Sequence, residues 1–135
     1  MNSVVLLDPR NKALFASFYV EGLRKMFGSK SLRYSMLPFG DLDRAKDFSY
    51  DHYMCFIVVR GNLKRKIIID FHDSTSISAE AYRWCDVYAK INIATTTDMS
   101  SWPKLISIPP GFGIRTNSVA GTLIGGIKDL WHMKF

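Results

Sequence analysis

Two nearly unbroken apolar runs, Tyr53 to Val59 and Lys66 to Phe71, limit what this chain can fold into. Both are short and rich in β-branched residues, which suits strands, and neither shows the apolar–polar alternation of a strand with one wet face. A strand that is apolar on both sides must be covered on both sides. That condition is met by a largely parallel sheet inside an α/β domain. Between the runs lies Arg60-Gly61-Asn62-Leu63-Lys64, a hairpin connection with basic flanks. The hairpin is expected to add one antiparallel strand at a sheet edge, where cations are the usual residues.

The other segments agree with an alternation of strand and helix. Val4 to Leu7 reads as a buried strand stopped by Asp8-Pro9. From Asn11 to Phe27, Leu14, Phe15, Phe18, Leu23, Met26 and Phe27 recur at helical spacing, with Asn11 placed as an N-cap and Gly28 just past the end. Ser31 to Leu37 alternates as a second strand. Pro38 to Asp51 is polar and aperiodic and reads as a long loop. Ser78 to Cys85 predicts a helix, Val87 to Ile93 and Lys104 to Ile108 two further strands, and Val119 to His132 a last helix weakened by three glycines. The pattern implies one Rossmann-like domain over residues 1–135: a mainly parallel sheet with helices on both faces and one antiparallel hairpin strand.

Composition closes off several classes. At 135 residues with 47% hydrophobic and 22% charged residues, the chain is long enough for a core of its own. Cys55 and Cys85 both lie in apolar stretches, so buried free thiols in a cytoplasmic protein are expected, without a disulfide or a metal set. No apolar run reaches the roughly 20 residues of a membrane span, and no secretory leader is visible. The net charge of +6 permits an anionic partner, but the cations are scattered along the sequence, so nucleic-acid binding is not expected.

In open α/β sheets ligands bind beyond the carboxyl ends of the parallel strands. That rule selects Asp8 and Arg10 after the first strand, Asp70, His72, Asp73 and Ser74 after the fourth, and Gly111, Gly113 and Arg115 after the last. His72 and Asp73 are the candidate catalytic pair, with a base and a carboxylate adjacent in sequence. Asp73 and Ser74 also have the residue types of helix caps, and His72 could equally be a structural histidine. The remaining rim residues, Asp8, Arg10, Ser74, Gly111, Gly113 and Arg115, are candidates for substrate binding. Gly111-Phe112-Gly113 lacks the third glycine of a dinucleotide fingerprint, and no phosphate-loop motif is present, so no nucleotide cofactor and no metal are expected. A tight turn with close backbone packing is the simpler account of those glycines.

Three stretches together resemble a known family. Ile67-Ile68-Ile69-Asp70-Phe71-His72-Asp73-Ser74, Cys85-Asp86-Val87-Tyr88-Ala89-Lys90-Ile91-Asn92 and Ile108-Pro109-Pro110-Gly111-Phe112-Gly113-Ile114-Arg115 are similar, in order and spacing, to the N-terminal half of two-domain GT-B type bacterial polysaccharide glycosyltransferases. Ala89 stands where a bulky aromatic is the family's pattern. The resemblance implies the acceptor-binding half of a metal-independent transferase, inactive without a C-terminal donor-binding domain. Its partners would be a nucleotide-sugar donor and a glycan or lipid-linked acceptor. The parent would be cytoplasmic, with peripheral association at the inner membrane face. Tyr82, Trp84 and Tyr88 would be available as aromatic platforms for sugars. The alternative is a flavodoxin-like binding or regulatory module without catalysis.

Overall fold

The computed structural model describes residues 3–42, 44 and 52–113. Within them the order is β1 (Ser3–Leu7), α1 (Ala13–Phe27), β2 (Leu32–Tyr34), β3 (Tyr53–Arg60), β4 (Leu63–Asp70), α2 (Ala79–Trp84), β5 (Val87–Lys90) and β6 (Leu105–Ser107). The six strands form one mixed sheet in the order β2-β1-β3-β4-β5-β6. The pairs β1–β2, β4–β5 and β5–β6 are parallel, and β3 runs antiparallel to both of its neighbours. The chain is therefore an α/β protein with a mostly parallel sheet.

The hairpin corrects the expectation of an edge strand. β3 and β4 pair along their full eight residues, from Tyr53↔Asp70 to Arg60↔Leu63, and sit at the centre of the sheet. The basic tip lies at one end of the sheet and not along its side. Central placement explains why Met54, Cys55, Phe56 and Ile57 are all buried: alternate residues point to opposite faces, and both faces are covered there.

On the first face Val5, Leu7, Met54, Phe56, Ile69, Phe71 and Ala89 pack with Ala16, Val20 and Leu23 of α1. These helix residues, with Phe27, follow i, i+4, i+7, i+11 spacing. The apolar stripe expected from the sequence is thus displaced: Leu14 and Met26 are 67% and 76% exposed and lie on the flank of the helix. On the opposite face Cys55, Ile57, Ile68, Tyr88 and Leu105 pack with Phe39, Leu42 and Ala81 of α2. The expected helix 119–132 lies outside the described residues, as does Arg115.

Local chemistry differs from the sequence expectations at several boundaries. Lys12 occupies the N-cap position of α1 and its side chain makes no capping bond, and Asn11 is instead drawn to β3. Gly28 ends the helix at φ +81°, a conformation that disfavours any side chain, and its N–H caps Arg24 O. β2 stops at Tyr34 because Leu37–Phe39 form a 3-10 turn that buries Phe39. β5 and β6 are likewise shorter than their apolar runs. Ser78 caps α2 through Ala81 N, so the cap roles weighed for Asp73 and Ser74 are not taken up.

Candidate functional site

The topology places the carboxyl ends of β1, β2, β4, β5 and β6 along one rim, together with the start of antiparallel β3. The chain leaves β1 towards β2 on one side and leaves β4 towards β5 on the other. The two exits diverge above the start of β3, which is the kind of switch point where α/β sheets open a crevice.

Two buried carboxylates organise this rim. Asp8 has no exposed surface and binds two cations. Arg10 donates from Nε at 3.0 Å and Nη2 at 2.9 Å, and Arg44 donates from Nη1 at 3.0 Å. Arg10 also reaches the Phe39 carbonyl, and Arg44 reaches the Asn11 side-chain oxygen and the Tyr53 carbonyl. Asn11 exchanges hydrogen bonds with both backbone groups of Cys55. The loop after β1 is thereby fastened to the first turn of β3.

Asp70 does the same at the end of β4. Its Oδ2 accepts from the Tyr88 hydroxyl at 2.6 Å and from Lys90 Nζ at 2.9 Å, while Oδ1 accepts from the His72 backbone N–H at 2.8 Å. Lys90 Nζ also donates to the His72 carbonyl at 3.3 Å. Burial first, and then the bond to Asp70, raises the Tyr88 phenol above its ordinary pKa. Tyr88 is fully buried and cannot be the sugar platform that the sequence allowed. Among the described residues no buried side-chain polar atom lacks a partner, so these ion pairs are closed structural units.

What they hold in place is exposed. His72 is half-buried and Asp73 and Ser74 are exposed on the loop that follows Asp70. Asn92, after β5, donates to the Asp73 carbonyl and joins the two loops. Ser74 pairs with the Ser76 hydroxyl at 2.8 Å. The His72 ring lies 5.0 Å from the ring of His52, which immediately precedes β3 and whose carbonyl accepts from Phe71 N. His52 in turn meets Phe15 edge-on at 6.0 Å, and Phe15 stacks on Phe71. The rim therefore presents two imidazoles, a carboxylate and an aromatic shelf.

Gly111 and Gly113 form the far wall by close approach. A Cβ on Gly111 would fall 2.7 Å from the Tyr19 ring, and one on Gly113 3.0 Å from Leu14. Tyr19 cannot withdraw freely, since it stacks on Phe71 and its hydroxyl donates to the Pro109 carbonyl at 2.9 Å. The close packing expected of these glycines is present, here against side chains of α1, but residues 109–113 run as irregular chain without a turn. Phe112, 66% exposed, leans on Phe18.

Of the sequence-selected residues, the structure gathers Asp8, Arg10, His72, Asp73, Ser74, Gly111 and Gly113 along one rim. Asp8 acts from inside the fold. Sequence reasoning missed His52, Arg44, Asn11 and Asn92. His52 becomes visible only once β3 is placed between β1 and β4 and not at an edge, and Arg44 sits in a loop without periodicity. Cys55 and Cys85 are buried free thiols, and burial pushes the Cys85 thiol up to about 11. Among the described residues no group of three or more His, Cys, Asp or Glu side chains could hold a metal ion. No helix among them is long and apolar enough to cross a membrane. No family model, curated protein or solved structure matches the chain.

Proposed function

We propose that this domain is the acceptor-side half of a sugar transferase of the two-domain GT-B kind. It would bind a glycan or lipid-linked acceptor, with the nucleotide-sugar donor held mainly by a second, C-terminal domain. The observation that carries the reading is the junction of the three resembling stretches. Asp70 of the first bonds Tyr88 and Lys90 of the second, Asn92 of the second bonds Asp73 of the first, and Ile108 of the third donates to the Lys90 carbonyl. Residues that form the resemblance thus build one framework, and that framework presents His72 and Asp73 at the rim. In this reading His72 takes the acceptor hydroxyl proton, Asp73 orients the sugar, and His52 with Phe15 supplies the apolar face that a pyranose ring packs against. Helices over both faces, the segment 119–132 included, would complete a Rossmann-like half. The parent enzyme would act at the cytoplasmic membrane face.

A phosphoacceptor module is less well supported. Such a module needs a cluster of acids near the first strand, where only Asp8 is offered, and Asp8 is buried against two arginines. The test is made on the purified chain. It is expected to release no nucleotide from UDP-, GDP- or dTDP-sugars, yet to retain oligosaccharides on a glycan array, with retention lost in His72→Ala. Donor turnover above the His72→Ala background, or array binding unchanged by that substitution, would overturn the proposal.

A further inference from the structure

The cations that look scattered in the sequence are gathered by the fold. β1 and β2 are parallel, so α1 must return from the rim and end at the opposite end of the sheet, which places Lys25 and Lys30 there. The β3–β4 hairpin turns at the same end, since Ser3 pairs with Arg60. It contributes Arg60, Lys64 and Arg65, all exposed. Arg83, in the last turn of α2, completes the group for the same topological reason. The carboxylates at this end keep to its margins: Glu21 pairs with Arg24 at 3.6 Å, Asp86 accepts the Lys66 backbone N–H, and Asp41, which pairs with Lys66 at 3.0 Å, shares a surface pocket with Glu80 and Arg83. Among the described residues no carboxylate pairs with Arg60, Lys64 or Arg65.

Two large apolar side chains stand in this basic field, Leu63 beside the hairpin turn at 68% exposure and Met26 on α1 at 76%. Water disfavours both. A phosphate backbone would use the cations and leave the apolar groups without a partner, whereas the boundary between headgroups and acyl chains uses both. We propose that the end of the sheet opposite the ligand rim is a docking surface for an anionic lipid bilayer, with Leu63 entering the boundary layer and the surrounding cations over the headgroups. The rim then faces away from the bilayer, roughly 25 Å from it, as eight extended residues require, so this orientation goes with a soluble glycan acceptor and not with one anchored in the same bilayer. The inference makes specific the membrane association named above, and it does not depend on sugar transfer.

The experiment is partition of the intact chain onto vesicles of phosphatidylcholine with and without 30% phosphatidylglycerol. Binding is expected only to the anionic vesicles and should weaken with salt. Replacing Arg60, Lys64 and Arg65 together with Ser should weaken it on the order of 100-fold, at about fivefold for each cation. Leu63→Ser should weaken it about tenfold while leaving the salt dependence unchanged. These positions are exposed, so thermal unfolding of each variant should match the parent and keep the comparison clean. Equal binding to neutral vesicles, binding unaffected by the triple substitution, or tighter binding to duplex DNA or RNA than to the anionic vesicles would overturn the proposal. No sugar or donor enters the assay, so its failure is separable from failure of the transferase reading.

Discussion

Replacing Lys90 with Met tests whether the Asp70 cluster is the structural keystone of the rim. Methionine preserves most of the aliphatic stem and removes the ammonium. Asp70 and Lys90 are 1% and 0% exposed, and Nζ lies 2.9 Å from Oδ2, so solvent can replace nothing that is lost. The Asp70 carboxylate would keep the Tyr88 hydroxyl and the His72 N–H, and the His72 carbonyl would lose one donor. Breaking a buried pair by removing one partner costs about 3–5 kcal/mol. At this chain length that corresponds to a fall in Tm of about 10–25 °C. The double variant Asp70→Asn/Lys90→Met removes the orphaned charge as well, and should recover about 1 kcal/mol or more relative to additivity. Chemical denaturation of the parent, both single variants and the double variant gives the cycle directly. A Lys90→Met cost below about 1 kcal/mol, or strictly additive losses, would refute the reasoning.

Other perturbations follow from the same geometry. Tyr88 has its phenol pKa raised by burial and by Asp70, so folding favours its neutral form. Its contribution is complete below about pH 10 and is lost as pH rises beyond that. Tyr88→Phe should cost about 1–2 kcal/mol at neutral pH and flatten the alkaline limb of stability, as read by urea titration at several pH values. With its thiol raised to about 11, Cys85 should resist alkylation at pH 8 in the native state and react on unfolding; rapid native labelling would contradict its burial. Gly111→Ala should destabilise by about 1–3 kcal/mol, because the added methyl meets a Tyr19 ring fixed by Phe71 and Pro109; an unchanged Tm would show that the segment can yield. His72→Ala keeps the backbone N–H that bonds Asp70, so it should cost under about 1 kcal/mol while abolishing ligand binding.

The strands were legible because hydrophobic runs report burial directly. Ile67-Ile68-Ile69 and Tyr53 to Val59 predicted two-sided cover, and both lie at the sheet centre. Sheet order was not legible. Basic residues at the hairpin argued for an edge, but strand position depends on which neighbours the connections permit, and residues 61–65 are exposed because they project beyond the paired residues of β1 and β5. The helix stripe was misjudged for a related reason. Leu14 and Met26 match the period as well as Ala16 and Val20 do, and only the angle of α1 on the sheet decides between them. At the rim, the carboxyl-end rule found Asp8, Asp70 and His72 from strand ends alone. It could not find Arg44 or Asn11, whose roles arise from long-range pairing with Asp8 and Cys55, nor the gathering of cations by chain direction.

The central claim is that the rim above the Asp70–Tyr88–Lys90 framework is the ligand face. Amide chemical-shift mapping of the isotopically labelled chain, titrated with short oligosaccharides, tests it most directly. The predicted result is a contiguous set of shifts at His52, His72, Asp73, Ser74, Asn92 and Gly111, saturating with added ligand and abolished in His72→Ala. Shifts confined to the groove beside Gly22 and Met26, to the surface around Asp41 and Trp84, or to no residue at all would contradict it.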